Sequence, residues 1–113
     1  MTETTLLLLL VWLHFFGDFI LQTDYMAFNK SKSNKILLLH VTVYSIPLTL
    51  LGFQFAVVNL VLHFMTDWCT SRATAKLWKL NKRYWFFAVI GLDQAIHMTC
   101  LILTSLYFWE FAS

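Results

Sequence analysis

The stretch TTLLLLLVWLHFFGDFILQ, residues 4–22, decides how the rest of the chain is read. It is apolar over a length close to the roughly 18–20 residues that cross a hydrocarbon core. It nevertheless carries His14 and Asp18. Their i, i+4 spacing puts both side chains on one helix face, about 6 Å apart along the axis. Ionisable groups are costly in hydrocarbon and face a bundle interior when a span contains them. The stretch therefore predicts a helix with partners and a polar seam between them.

Three further stretches repeat the pattern: residues 35–52 with His40, 55–74 with His63 and Asp67, and 84–109 with Asp93 and His97. The expected fold is all-α, a four-helix transmembrane bundle forming one domain over residues 1–113. Composition agrees. Hydrophobic residues make up 59% of the chain, charged residues 12%, and mean hydropathy is +0.68. A soluble domain of this size could not cover its surface with so few charges. The start lacks the basic segment of a cleaved leader, so the first stretch is expected to be retained. Pro47 should kink the second span, and Gly52 to Gln54 form a turn short enough to make spans two and three antiparallel neighbours. Residues 23–34 read as a polar loop, and Asn81, Lys82 and Arg83 as the break before the last span. Cys69 and Cys100 have no metal-like spacing and read as free thiols.

All eight Lys and Arg fall in the stretches joining spans one to two and three to four or at the span ends beside them. The positive-inside rule then makes those loops cytoplasmic and both termini external. In this topology spans one and three read His-x-x-x-Asp from outside to inside, and span four reads Asp-x-x-x-His from inside to outside. Asp18, Asp67 and Asp93 should share a level near the cytoplasmic side, with His14, His63 and His97 one turn deeper. His40 joins the carboxylates, with Tyr44 one turn below it. A shared offset of 49 relates His14 to His63 and Asp18 to Asp67, and one of 53 relates His40 to Asp93 and Tyr44 to His97. Two parallel-repeat helical hairpins would account for both.

Seven groups of these types make His14, Asp18, His40, His63, Asp67, Asp93 and His97 candidate metal ligands. Imidazole with carboxylate suits a divalent transition ion, zinc foremost and manganese or iron as alternatives. One ion needs three or four ligands, so seven allow one ion or two with a bridging carboxylate. The bland alternative is a set of interhelical hydrogen bonds, which requires three carboxylates to be buried without a cation. Asp18, Asp67 and Asp93 are the candidate catalytic carboxylates. Gln22, Lys30, Arg72, Lys76 and Gln94 are the candidate substrate-binding groups, the cations for an anionic headgroup. Gly17 and Gly91 flank the constellation and suit close helix packing.

The segments His14 to Gln22, Asn29 to Lys32, Leu38 to His40, Leu62 to Asp67 and Leu92 to His97 together resemble a family of small bacterial and phage membrane proteins of unknown function. That resemblance implies a prokaryotic or phage source and a multi-pass inner-membrane location. A looser likeness, resting on residue types, is to membrane-bound metal-dependent hydrolases. The functional expectation is a metal-dependent hydrolase, with a mono- or dinuclear site, acting on a lipid or lipid-linked phosphate at the cytoplasmic leaflet. A divalent-metal or proton-coupled transporter, as a homo-oligomer, is the alternative that uses the same cluster. A lipid oxidase would want more histidines than four. Nucleic acid is not an expected partner, because a membrane surface accounts for the basic residues.

Overall fold

The computed structural model describes residues 2–109, so the domain expected over 1–113 extends past the described residues at both ends. Every regular element in them is helical. Helix α1 (Glu3–Phe15) starts at Thr2, whose hydroxyl accepts from the Thr5 backbone N–H, and runs into a π-helical turn over Phe16–Ile20. Helix α2 (Asp24–Asn29) is capped by Thr23, and α3 (Asn34–Ser45) by Ser33. A 3-10 segment, Pro47–Leu51, follows α3. Helix α4 (Phe53–Lys79) and helix α5 (Arg83–Phe108) are the long elements, with 27 and 26 residues.

Two turns show why the chain reverses where it does. Gly52 has φ +124°, a backbone conformation open to glycine and strained for other residues. Asn81 sits in the left-handed region at φ 57°, which asparagine tolerates better than most residues, and it ends α4. The short reversal at Gly52 lays α3 and the 3-10 segment against α4, and the one at Asn81 lays α4 against α5. Helix α1 closes the ring against α5 and, through its π-helical turn, against α3. The molecule is elongated, 49 × 27 × 20 Å.

The interior is unusually polar. Among the described residues, eleven buried side chains are polar or ionisable and ten are hydrophobic, whereas Leu50, Phe53, Tyr84 and Tyr107 lie on the surface. The buried face of α4 is an i+4 ladder of Phe55, Asn59, His63, Asp67 and Ser71 with Ala56 beside its start, and that of α5 is Asp93, His97, Leu101 and Ser105. One end of the bundle is sealed by apolar packing of Leu6, Leu10, Tyr44, Leu48, Phe55, Ala56 and Leu101. The histidines and aspartates occupy the other half, while Asn59 and Ser105 are buried beside the apolar packing.

Several expectations are amended. Among the described residues two helical stretches, Glu3–Ile20 and Arg83–Phe108, are long and apolar enough to cross a membrane, where four were expected. The second stretch is divided by Pro47 into a 12-residue helix and a 3-10 turn. The third is one continuous helix, but Gln54, Asn59, His63 and Asp67 lower its hydropathy. The loop expected over residues 23–34 contains α2. Gly17 does permit a close approach: a Cβ there would lie 2.7 Å from Tyr44 Cδ2 and 3.0 Å from the Tyr44 carbonyl oxygen. Gly91 faces open space, so packing gives no reason for it. Cys69 and Cys100 are free thiols.

Candidate metal centre

The i+4 ladders of α4 and α5 deliver His63, Asp67, Asp93 and His97 inward, the π-helical turn delivers Asp18, and the first turns of α3 deliver His40. A π turn widens the helix locally and is common where a side chain must be re-aimed at a functional site. Here it carries Gly17 against Tyr44 and Asp18 into the centre.

Four atoms from Asp18, His40, His63 and Asp67 lie within 4.8 Å of one another, and all four residues are buried. His40 Nε2 is 3.0 Å from Asp18 Oδ1 and 3.2 Å from Asp67 Oδ2. His63 Nε2 is 3.4 Å and 3.2 Å from the same two oxygens. A tetrahedral ion with ligands at about 2.0–2.1 Å would set neighbouring ligand atoms about 3.3 Å apart. The four edges fit that figure.

Ion pairing alone would give similar lengths, so orientation is the discriminating observation. His40 Nε2 and Asp18 Oδ1 are buried and close, yet neither makes a hydrogen bond among the described residues. Of the four contacts only His63 Nε2–Asp67 Oδ2 has hydrogen-bond geometry, and an ion between the groups would account for the other three. Buried polar atoms are rarely left this way, and an ion is one of the standard explanations. The residues present therefore fit a divalent ion held by two imidazole nitrogens and two carboxylate oxygens. The outward nitrogens, His40 Nδ1 and His63 Nδ1, have no hydrogen-bond partner among the described residues, so the protein does not lock these rings from behind.

A second set, Asp18, Asp93 and His97, also brings its ligand atoms within 4.8 Å. His97 Nε2 lies 3.1 Å from Asp93 Oδ2 and 3.0 Å from Asp67 Oδ1, and its ring stacks on His63 at 3.8 Å. Asp67 thus touches His40, His63 and His97, and Lys30 Nζ donates to its Oδ2 at 3.1 Å.

His14 is placed apart from both sets. Its Nε2 bonds to Gln94 Oε1 at 2.6 Å and its Nδ1 to the Tyr44 hydroxyl at 2.8 Å, so both nitrogens are engaged. Its contact with Asp18 is long, 3.9 Å. Gln94 spends its amide on the carboxylates, with Nε2 at 3.2 Å from Asp18 Oδ2 and 3.1 Å from Asp93 Oδ2.

The three carboxylates line a cavity of about 580 Å³, and the four histidines stand behind them. Phe19, Phe28, Trp78, Phe86 and Ile90 form apolar walls, and Lys30, Lys32 and Lys79 add positive charge. Gln22 lines it with a buried, unpartnered Oε1. Arg72 and Lys76 do not line it. Arg72 lies over the Trp68 ring and donates to Asn34 Oδ1 at 2.8 Å, and Lys76 points outward on α4. Asp24 is exposed at the start of α2. Sequence reading did not single out Thr70, whose hydroxyl donates to Asp93 Oδ1 at 2.6 Å, nor Ser71 on the cavity wall.

Fold and site together define an all-helical protein with a buried His/Asp cluster able to hold a metal ion, and with two helices long and apolar enough to cross a membrane. The chain belongs to the family described as "Protein of unknown function (DUF3307)", whose profile matches residues 6–113. No curated protein and no solved structure matches it. The looser likeness to metal-dependent hydrolases finds no support in these comparisons.

Proposed function

We propose that this chain is an integral membrane, metal-dependent hydrolase of a lipid or lipid-linked phosphate. The observation that carries the reading is the cavity whose floor is formed by the carboxylates of the ligand sets, with apolar walls and lysines beside them. An amphiphile with an anionic head and an acyl or prenyl chain has that distribution of chemistry. The inside-out burial pattern supports a four-span bundle with lipid around it, a topology that also fits the equal sequence offsets of two paired hairpins. Confinement of all eight Lys and Arg to residues 30–35 and 72–83, the two connections and the helix ends beside them, supports a cavity mouth on the cytoplasmic side of an inner membrane and external termini.

Asp18, His40, His63 and Asp67 would hold the ion. When bound, a divalent ion supplies charge stabilisation and a water of lowered pKa, and zinc, manganese or iron suits this donor set. Lys30 and Lys32 hold the headgroup, and Gln22 offers it a hydrogen bond. Asp93 is steadied by Thr70 at Oδ1 and lines the cavity beside the ligand set, where it helps to orient the attacking water. The new bond joins the water oxygen to phosphorus and the ester P–O bond breaks. The lipid oxygen leaves with a proton, so one water is consumed per phosphate released.

The test is elemental analysis of chelator-free, detergent-purified protein beside phosphate release from a lipid phosphomonoester in mixed micelles. Bound ion and phosphate release, both lost in Asp67→Asn, are expected. Protein without ion sinks the reading. Ion uptake into proteoliposomes without phosphate release would favour the transporter instead, although among the described residues no buried histidine, carboxylate or cation continues the path behind the site.

A further inference from the structure

Resting on that reading and deepening it, we propose that the centre is dinuclear. The second ion is held on the cavity side by Asp93 and His97 and joined to the first through Asp18. The two ligand sets share Asp18 and no other residue. Its two oxygens are committed in different directions: Oδ1 faces His40 and His63, and Oδ2 faces Gln94 beside Asp93. A carboxylate presented in this way is what bridges two ions at the roughly 3.5–4 Å separation of two-metal hydrolases.

Gln94 marks the second position independently. Its amide nitrogen sits between Asp18 Oδ2 and Asp93 Oδ2, donating to both, and so occupies the place of a cation between two buried carboxylates. An ion there requires the carboxamide to rotate and present Oε1. His14 is built to accept that rotation. In the present arrangement its Nε2–H donates to Gln94 Oε1, and Nδ1 accepts from the Tyr44 hydroxyl. After rotation Gln94 donates to Nε2, and Nδ1–H donates to Tyr44. Both bonds of His14 are kept, one imidazole proton changes nitrogen, and the ion replaces the two amide bonds that Asp18 and Asp93 give up. His14 and Tyr44 are then positioning residues for the second ion, and His14 is a ligand of neither.

Charge gives the functional reason. Three ionised carboxylates with one divalent ion leave one negative charge facing the cavity, and the Lys30 ammonium only cancels it. A second divalent ion leaves the same group of residues at plus two, which complements a phosphomonoester dianion. The first ion assembles the centre, and the second makes it attract its substrate.

Manganese titration of detergent-solubilised full-length protein, followed by equilibrium dialysis and electron paramagnetic resonance, tests this. Wild type should bind two Mn²⁺ per chain with a spin-coupled spectrum. Asp93→Asn should bind one, uncoupled, with first-site affinity changed less than about threefold. Gln94→Leu should weaken the second site alone by about 10–100-fold, the range for outer-sphere partners. Tyr44→Phe, which retains the ring, should weaken it by less. One uncoupled ion in wild type overturns the second site while leaving the hydrolase reading standing if phosphate is still released. Two ions retained in Asp93→Asn overturn the ligand assignment. Absence of any bound ion overturns both the inference and the reading beneath it.

Discussion

Asp67 bears the greatest demand of any single residue, accepting contacts from three imidazoles and one ammonium while almost wholly buried. Without an ion, Lys30 is, among the described residues, its one permanent positive neighbour within ion-pair distance. Lys30→Met should therefore destabilise ion-free protein by about 1.5–3 kcal/mol, the range for hydrogen bonds to charged groups. Added ion should shrink the difference, because it supplies the missing charge. Thermal unfolding in detergent, with chelator and then with saturating Zn²⁺, measures both. An equal deficit in the two conditions would mean that Lys30 acts elsewhere. Tyr44→Phe deletes one buried hydrogen bond to His14 and should cost about 1 kcal/mol in the same assay. The first ion should be retained there, since Tyr44 touches neither Asp18 nor His40 through its hydroxyl.

Among the elements, the π-helical turn at Phe16–Ile20 is the device that lets α1 contribute to the centre. Gly17 is its contact point with α3, and a methyl group there meets the Tyr44 backbone, which cannot rotate away. Gly17→Ala should cost about 1–3 kcal/mol as overpacking. It should also weaken ion binding, because Asp18 is the next residue. Melting temperature and ion content should fall together, and a fall in melting temperature alone would separate the turn from the site. Much of this was legible beforehand. His63 and Asp67, like Asp93 and His97, lie i, i+4 on regular helices, so their spacing placed them on one face without knowledge of any partner. His14 and Asp18 share that spacing but not that outcome: the π turn that holds Asp18 alters the register, so Asp18 meets His40 and His63 while His14 meets only Gln94 and Tyr44 by hydrogen bonds. Thr70 escaped notice for another reason: it also bonds back to the Thr66 carbonyl, as helical threonines commonly do, and its bond to Asp93 depends on tertiary structure. The short helix α2 was hidden in a polar segment with no apolar period, although Thr23 and Asp24 are ordinary helix-start residues.

For the whole molecule, the decisive property is the separation of a sealed apolar end from an open polar one along a 49 Å axis. A hydrocarbon core of about 30 Å leaves room for both connections bearing Lys and Arg to emerge on one side. The proposed topology puts Lys32, at the cavity, and Gln54, beside the Gly52 turn, on opposite faces of the membrane. Both residues are exposed, so single cysteines there should leave the fold intact once Cys69 and Cys100 are replaced by serine. A membrane-impermeant maleimide should label Gln54→Cys in spheroplasts and Lys32→Cys in inverted vesicles. Labelling of both from one side would mean that α3 does not span. The reverse pattern would turn the cavity outward and make its substrate an external one. The expected pattern would set the ion site within reach of cytoplasmic metal and of lipid headgroups in the inner leaflet, the two reactants that the proposed chemistry needs at one place.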